Sequence, residues 1–126
     1  MSDGILIDTD VLIDYMHGYP EAVVFVKSVS ARAKLSVVTT AEVYSGARAA
    51  EMKQIGAALR LFPQLAVTRQ VAVRGGLLRN QYAKSQGLKL GDALIAATAQ
   101  EYGLELATLN VRHFPMLPVA KPYVKQ

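Results

Sequence analysis

The sequence predicts an α/β layer fold with a mainly parallel sheet of about four to five short strands flanked by helices. Three observations predict it. Short apolar runs alternate with longer segments of helical character along the whole chain. Gly18, Pro20, Pro63, Gly87 and Gly103 punctuate the alternation. Polar residues, Asp8, Glu42 and Asn110, directly follow apolar runs, as expected where sites form beyond the carboxyl ends of parallel strands.

The elements follow in order. Gly4 to Ile7 reads as a buried strand ending at Asp8, and Val11 to Met16 as a short helix leaving it. Gly18-Tyr19-Pro20 is a turn, with Pro20 suited to the first turn of a helix running to Ser30. Leu35 to Val38 is a second strand, and Thr39 or Thr40 can cap the helix that carries Glu42. Glu51 to Leu61 is helical, Pro63 breaks it, and Leu65 to Val67 is a candidate short strand. Thr68 to Gln86 is a long helix with Gly75-Gly76 as its weak point. Gly87 ends it, and a helix from Leu90 to Tyr102 stops at Gly103. Leu104 to Leu109 is a strand, 110–114 a loop or single turn, and Pro118-Val119 a candidate edge strand.

A chain of 126 residues is expected to form one domain, 1–126. At this size a folded chain buries roughly two-thirds of the surface its unfolded form exposes, enough for a real core. With 52% hydrophobic and 19% charged residues, the composition is globular and not disordered. No apolar run approaches the ~18 residues of a membrane span. Asp3 and Asp8 stand where a signal peptide carries a basic region, so no membrane association and a cytoplasmic location are expected. There is no cysteine, which excludes disulfides and thiolate metal sites.

The net charge is +4 and the pI about 9.5. Residues 52–91 contain no Asp or Glu but carry Lys53, Arg60, Arg69, Arg74, Arg79, Lys84 and Lys89. An acidic site flanked by such a segment suits a polyanionic substrate. The five cations from Arg69 to Lys89 recur every five residues, so on a helix they wrap around it without forming one stripe. A solvated helix surface is the alternative, and the sequence leaves both open.

Asp8, Glu42 and Asp92 each sit beside an apolar run, far apart in sequence. A carboxylate at the mouth of a core element is costly to bury unless it is paired or bound to a cation. Three of them point to a hard divalent-metal site assembled from distant segments. Such an ion polarises a phosphoryl oxygen and lowers the pKa of water. Each acid also has a plain structural reading: Asp8 and Asp92 as helix caps, Glu42 as a first-turn residue facing the helix dipole. Thr9 and Thr108 are hydroxyls at strand ends, placed to orient a carboxylate or a water; strand-end threonine is otherwise simply a good β residue. Asp10 and Asp14 are four apart and share a helix face, Asp14 being expected in solvent. His17 and His113 are too few for a histidine metal site; His113 lies beside the presumed site and could contact phosphate, with a surface position the expected reading. Arg112 is the better phosphate contact, because a guanidinium pairs with phosphate oxygens. No P-loop, dinucleotide fingerprint or Ser-His-Asp arrangement is present.

Four segments together resemble the motifs of PIN-domain nucleases. Ile5-Leu6-Ile7-Asp8-Thr9-Asp10-Val11-Leu12-Ile13 is similar to the family's opening strand. Thr40-Ala41-Glu42-Val43-Tyr44-Ser45-Gly46-Ala47-Arg48 resembles its second acidic motif, and the stretch from Leu90 through Asp92 to Ala99 its third. Ala107-Thr108-Leu109-Asn110-Val111-Arg112-His113-Phe114 resembles its closing motif. A single domain of this length looks most like VapC-type toxins of toxin–antitoxin pairs. The resemblance implies a PIN-like three-layer fold and an endoribonuclease dependent on Mg²⁺ or Mn²⁺. Water activated by the ion would cut a phosphodiester to leave a 5′-phosphate and a 3′-hydroxyl. Asp8, Glu42 and Asp92 would bind the metal and Thr108 would arrange the catalytic site. Arg112, from its guanidinium, and Asn110, whose carbonyl oxygen can also ligate or hold a water, are the residues expected to contact substrate. A homodimer and a cognate antitoxin are also implied. Two departures stand out: Asp10 replaces a frequent Asn, and Asn110 and His113 stand where a fourth acid is common.

Two other readings remain open at this point. Ile5-Leu6-Ile7-Asp8-Thr9-Asp10 also looks like the opening of haloacid-dehalogenase-type phosphatases, with Asp8 as nucleophile and Asp10 as general acid. That reading leaves Glu42 without a role. The third possibility is a catalytically inactive binding module.

Overall fold

A computed structural model describes residues 4–125. Five parallel strands stand in the order β3-β2-β1-β4-β5. They are β1 (Ile5–Ile7), β2 (Ala33–Ser36), β3 (Gln64–Leu65), β4 (Glu105–Ala107) and β5 (Val119–Ala120). The helices are α1 (Thr9–Met16), α2 (Pro20–Ser28), α3 (Val37–Ser45), α4 (Met52–Leu59), α5 (Arg69–Gln86) and α6 (Leu90–Glu101). Single 3-10 turns lie at Ala49–Glu51 and Val111–His113. The chain winds outward from β1 in both directions, so the strand order reverses between β1 and β4. In sheets of this kind that reversal opens a crevice at the carboxyl ends.

The layers follow from strand alternation, which sends successive side chains to opposite faces. Ile5 and Ile7 enter one core with Val11, Leu12, Val26, Leu35, Val43, Ile55 and Leu59 from β2 and α1 to α4. Leu6 enters the other with Leu88, Ala93, Ile95, Ala96, Ala99, Leu106 and Phe114. Each large side chain buried here contributes about 1.5–3 kcal/mol, so a sheet covered on both faces is stable despite strands of only two to four residues. No helix among the described residues is long and apolar enough to cross a membrane.

Several expected boundaries move, for identifiable reasons. The second strand ends at Ser36, not Val38, because the Ser36 hydroxyl accepts from Val38 N at 3.0 Å and caps α3. Thr39 and Thr40 therefore lie inside that helix, with Thr39 fully buried. The segment expected as one helix from Glu51 is a 3-10 turn followed by α4. α5 runs unbroken through Gly75-Gly76. Gly75 is a contact and not a weakness: a Cβ there would lie 2.7 Å from Leu94 Cδ2 and 3.3 Å from Leu94 Cα, so its absence lets α5 settle on α6. Gly87, with φ +65°, supplies the left-handed residue that ends α5.

Asp14 is also placed differently from expectation. It is buried, accepting from Tyr123 Oη at 2.8 Å and from Lys125 Nζ at 2.7 Å. Lys125 Nζ also lies 5.3 Å from the Tyr19 ring centre. The segment after β5 is thereby pinned across α1, and a carboxylate read as solvated is the anchor.

Candidate active site

The site lies beyond the carboxyl ends of β1 and β4, at the crevice set by the strand order. Asp8 follows β1 directly and is 4% exposed. Its backbone N donates to Ala107 O of β4 at 2.9 Å. Its side chain accepts from Thr9 N at 2.8 Å, capping α1, and from the Thr108 hydroxyl at 2.7 Å. Asp8 is thus a cap and a buried site acid at once. Burial, followed by the neighbouring charge of Asp10 and more weakly that of Asp92, pushes its pKa up to about 7, against the pull of Thr108 and the Thr9 amide.

Asp10 sits in the first turn of α1, where Oδ1 accepts from Val11 N at 2.8 Å and Oδ2 from Asn110 Nδ2 at 3.3 Å. Burial raises its pKa as well. Thr108, fully buried just after β4, accepts from Asn110 N at 3.0 Å while donating to Asp8. One hydroxyl therefore fixes both the Asp8 carboxylate and the loop that carries Asn110.

Glu42 lies in the second turn of α3, too far along for a first-turn role. Its Oε1 accepts from the Thr9 hydroxyl at 2.5 Å, and that hydroxyl is 3.0 Å from Thr39 Oγ1. Its Oε2 lies where a Cβ on Gly91 would be only 2.7 Å away. Gly91 in the first turn of α6 thus admits Glu42 to the site. Asp92 is the next residue, in the first turn of α6 as the helix predicted from Leu90 requires, and the alternative reading of it as a cap falls because Lys89 holds that position. Burial raises the Asp92 pKa, opposed first by His113 and then by Lys89. His113 Nδ1 is 3.9 Å from Asp92 Oδ2, so this partly exposed histidine lies beside the site, as its place in the sequence suggested. Arg112 is exposed, on the same 3-10 turn.

Asp8, Thr108 and Asn110 are linked by hydrogen bonds, and Asp92 lies near enough for its charge to act on Asp8. Glu42 is tied in through Thr9, and Arg112 stands exposed on the neighbouring turn with no contact to the acids among the described residues. Thr39 and Gly91 were not expected in a functional role. Thr39 is three residues before Glu42, on the same helix face, and that spacing was the available signal. Gly91 carries no local sign, because its role exists only through Glu42.

The donor set suits a hard cation. Asp8, Glu42 and Asp92 offer only carboxylate oxygens, the ligand type favoured by Mg²⁺ and Mn²⁺. A buried carboxylate crowded by two others is also the state that a cation relieves. As the side chains stand, no three His, Cys, Asp or Glu among the described residues converge closely enough to enclose an ion. Glu42 is the displaced member: it is turned to Thr9, and it is not among the charges that raise Asp8. The chemistry of the donors fits the ion.

Gly91→Ala tests the arrangement. The added methyl meets the end of a flexible side chain, which can swing away, and alanine is the better helix former by about 1 kcal/mol. Thermal stability is expected to hold or rise slightly, while activity falls roughly tenfold as Glu42 is displaced. Equal loss of both in a melt and a turnover assay would sink the assignment.

Comparison with known proteins is consistent with this geometry. The PIN domain family matches residues 5–116. The chain is 43% identical over 123 residues to Ribonuclease VapC10 of Mycobacterium tuberculosis, covering 94% of this chain and 91% of that protein. It is 35% identical over 121 residues to Ribonuclease VapC19 of the same organism, covering 93% and 97%. Among solved structures, a toxin–antitoxin complex from Klebsiella pneumoniae contains a chain that matches with a TM-score of 0.76 and 35% identity, covering 95% of this chain and 98% of that one.

Proposed function

The chain belongs to the PIN-domain family, on its VapC ribonuclease branch, and from that premise we propose that it is an endoribonuclease toxin held in check by a cognate antitoxin. The observation that carries the reading is Asp8, buried at the end of the central strand, crowded by Asp10 and Asp92 and gripped by Thr108. A fold keeps so unfavourable a charge where function needs it. Asp8, Glu42 and Asp92 would hold Mg²⁺ or Mn²⁺, which supplies a lowered pKa for water and neutralises charge on the phosphoryl group.

The chain's own residues do the remaining work. Thr108 holds the Asp8 carboxylate in one orientation, so the acid needs no reorganisation on binding. Thr9 holds Glu42 in its turned-away position, so this acid would have to swing from the Thr9 hydroxyl to join the other two on an ion. Asn110, fixed through Thr108 and Asp10, presents an amide at the mouth of the site, and Arg112 offers a guanidinium to RNA phosphate. The antitoxin is supported by the matched Klebsiella complex. A homodimer is part of the same proposal; exposed Val73 and Leu77 on α5 provide apolar surface of the required kind. The action is placed in the cytoplasm, where RNA is available. The phosphatase and inactive-module readings are not favoured, since Glu42, idle in the phosphatase scheme, is built into the site.

The test is cleavage of end-labelled total RNA by protein freed of antitoxin, with Mg²⁺, Mn²⁺ or EDTA. Discrete cuts bearing 5′-phosphates, present with metal and absent in EDTA, are expected. No cutting under any condition, from folded protein, would overturn the proposal.

A further inference from the structure

We infer that RNA beside the scissile phosphate is held in a polar concavity between the end of α5 and the 3-10 turn after β4, with Arg112 as its phosphate contact. This rests on the endoribonuclease reading and extends it to a substrate subsite. The concavity, of about 450 Å³, is lined by Ser85, Gln86, Arg112 and His113. It offers a hydroxyl, an amide, a guanidinium and an imidazole, with no apolar side chain and no acid. That lining suits the phosphates and sugars of a nucleic-acid backbone, which are bound by such groups.

Position ties it to the chemistry. His113 forms one wall and stands 3.9 Å from Asp92. A strand leaving the acidic cluster past His113 enters the concavity directly. Ser85 and Gln86, in the last turn of α5 before it stops at Gly87, line the concavity together with Arg112.

The charges at this face are free to meet a phosphate. Several cations elsewhere are already engaged: Arg74 with Glu101, Arg48 with Glu51, and Lys125 with Asp14. Arg112 has no ion-pair partner among the described residues, and neither has Arg79. Arg79 and Lys89 line a second acid-free concavity across the α5–α6 turn.

The experiment uses the full chain and two substitutions, Arg112→Ala and Gln86→Ala. The probe for binding is a fluorescein-labelled single-stranded RNA oligonucleotide of mixed sequence, titrated in EDTA and followed by anisotropy. Arg112→Ala is expected to weaken binding roughly tenfold, as for one lost charge-assisted contact. It should also lower the slope of log affinity against log salt by about 0.7. Gln86→Ala is expected to weaken binding less, with the salt slope unchanged. In cleavage of an RNA carrying a mapped cut, Arg112→Ala should raise KM with kcat nearly constant. A single methylphosphonate linkage next to the cut should weaken wild type and leave Arg112→Ala no worse. Unchanged affinity and salt slope for Arg112→Ala, with an unaltered melting temperature, would overturn the subsite. A fall in kcat at constant KM would also overturn it, assigning Arg112 to the reaction itself. Absence of cleavage by wild type counts against the nuclease reading alone, because the binding arm decides the subsite independently.

Discussion

Asp8→Asn is expected to lower RNA cleavage by about 10³-fold, an effect of the size seen when preorganised electrostatic stabilisation is removed. The substitution is nearly isosteric. Asn caps helices as well as Asp does, so its oxygen can still accept from Thr9 N. What disappears is the charge. Glu42→Gln should act in the same direction, by about 10²-fold or more, since Glu42 supplies the second acid from α3. Asp10→Asn is the informative contrast. The Asn oxygen can keep the 2.8 Å bond from Val11 N, and the change removes a charge that opposes ionisation of Asp8. Cleavage by that variant should stay within about tenfold of wild type, a shift within what one partly buried hydrogen bond supplies. Single-turnover rates at saturating protein separate these effects from binding. Asp8→Asn cutting at a wild-type rate would sink the catalytic assignment. Asp10→Asn abolishing activity while Glu42→Gln preserves it would favour the phosphatase scheme.

Much of this site was readable because its signals are local. Each acid is adjacent to its own apolar run, and the run decides where the backbone delivers it. Asp8, Glu42, Asp92 and Thr108 are of this kind. The parallel sheet was readable for the same reason, since strands of continuous apolar residues require cover on both faces. What the sequence hid depends on contacts between distant segments. Asp14 shares a face with Asp10 on α1, but its partners, Tyr123 and Lys125, lie more than a hundred residues away. Gly75-Gly76 reads as a break until Leu94 is placed against it. Leu35-Ser36-Val37-Val38-Thr39 has the β-branched content of a continuous strand, yet the strand stops at Ser36, whose cap together with the packing of Val43 and Thr39 turns Val37 onward into a helix. Tertiary burial there outweighs a local preference of a few tenths of a kcal/mol per residue.

The second large effect concerns stability, and its direction is opposite to that on activity. Asp8→Asn is expected to stabilise the metal-free protein at pH 8. The folded-state pKa of Asp8 is raised from 3.8 to about 7. Between those values the native state binds more protons than the unfolded one, so stability falls as pH rises through this window and is flat above it. The ionised carboxylate then costs about 2–4 kcal/mol relative to the protonated form. Asn removes that cost but disturbs Thr108, whose proton loses its acceptor while its oxygen faces an amide NH₂ in place of Asp8 Oδ2. The net gain is therefore about 1–3 kcal/mol at pH 8, or roughly 5–10 °C in Tm, shrinking towards pH 4. A cation favours the ionised acid, so Mg²⁺ should raise the wild-type Tm at pH 8, less at pH 5, and hardly at all in Asp8→Asn. Thermal melts from pH 4 to 8, with Mg²⁺ and with EDTA, measure all of this. If Asp8→Asn is no more stable than wild type at pH 8, and the difference between them does not change with pH, then Asp8 does not carry a buried, uncompensated charge. The case for a cation at this acid would fall with it. If the stabilisation appears and Mg²⁺ fails to reproduce it in wild type, the cost is real but the ion is not what relieves it.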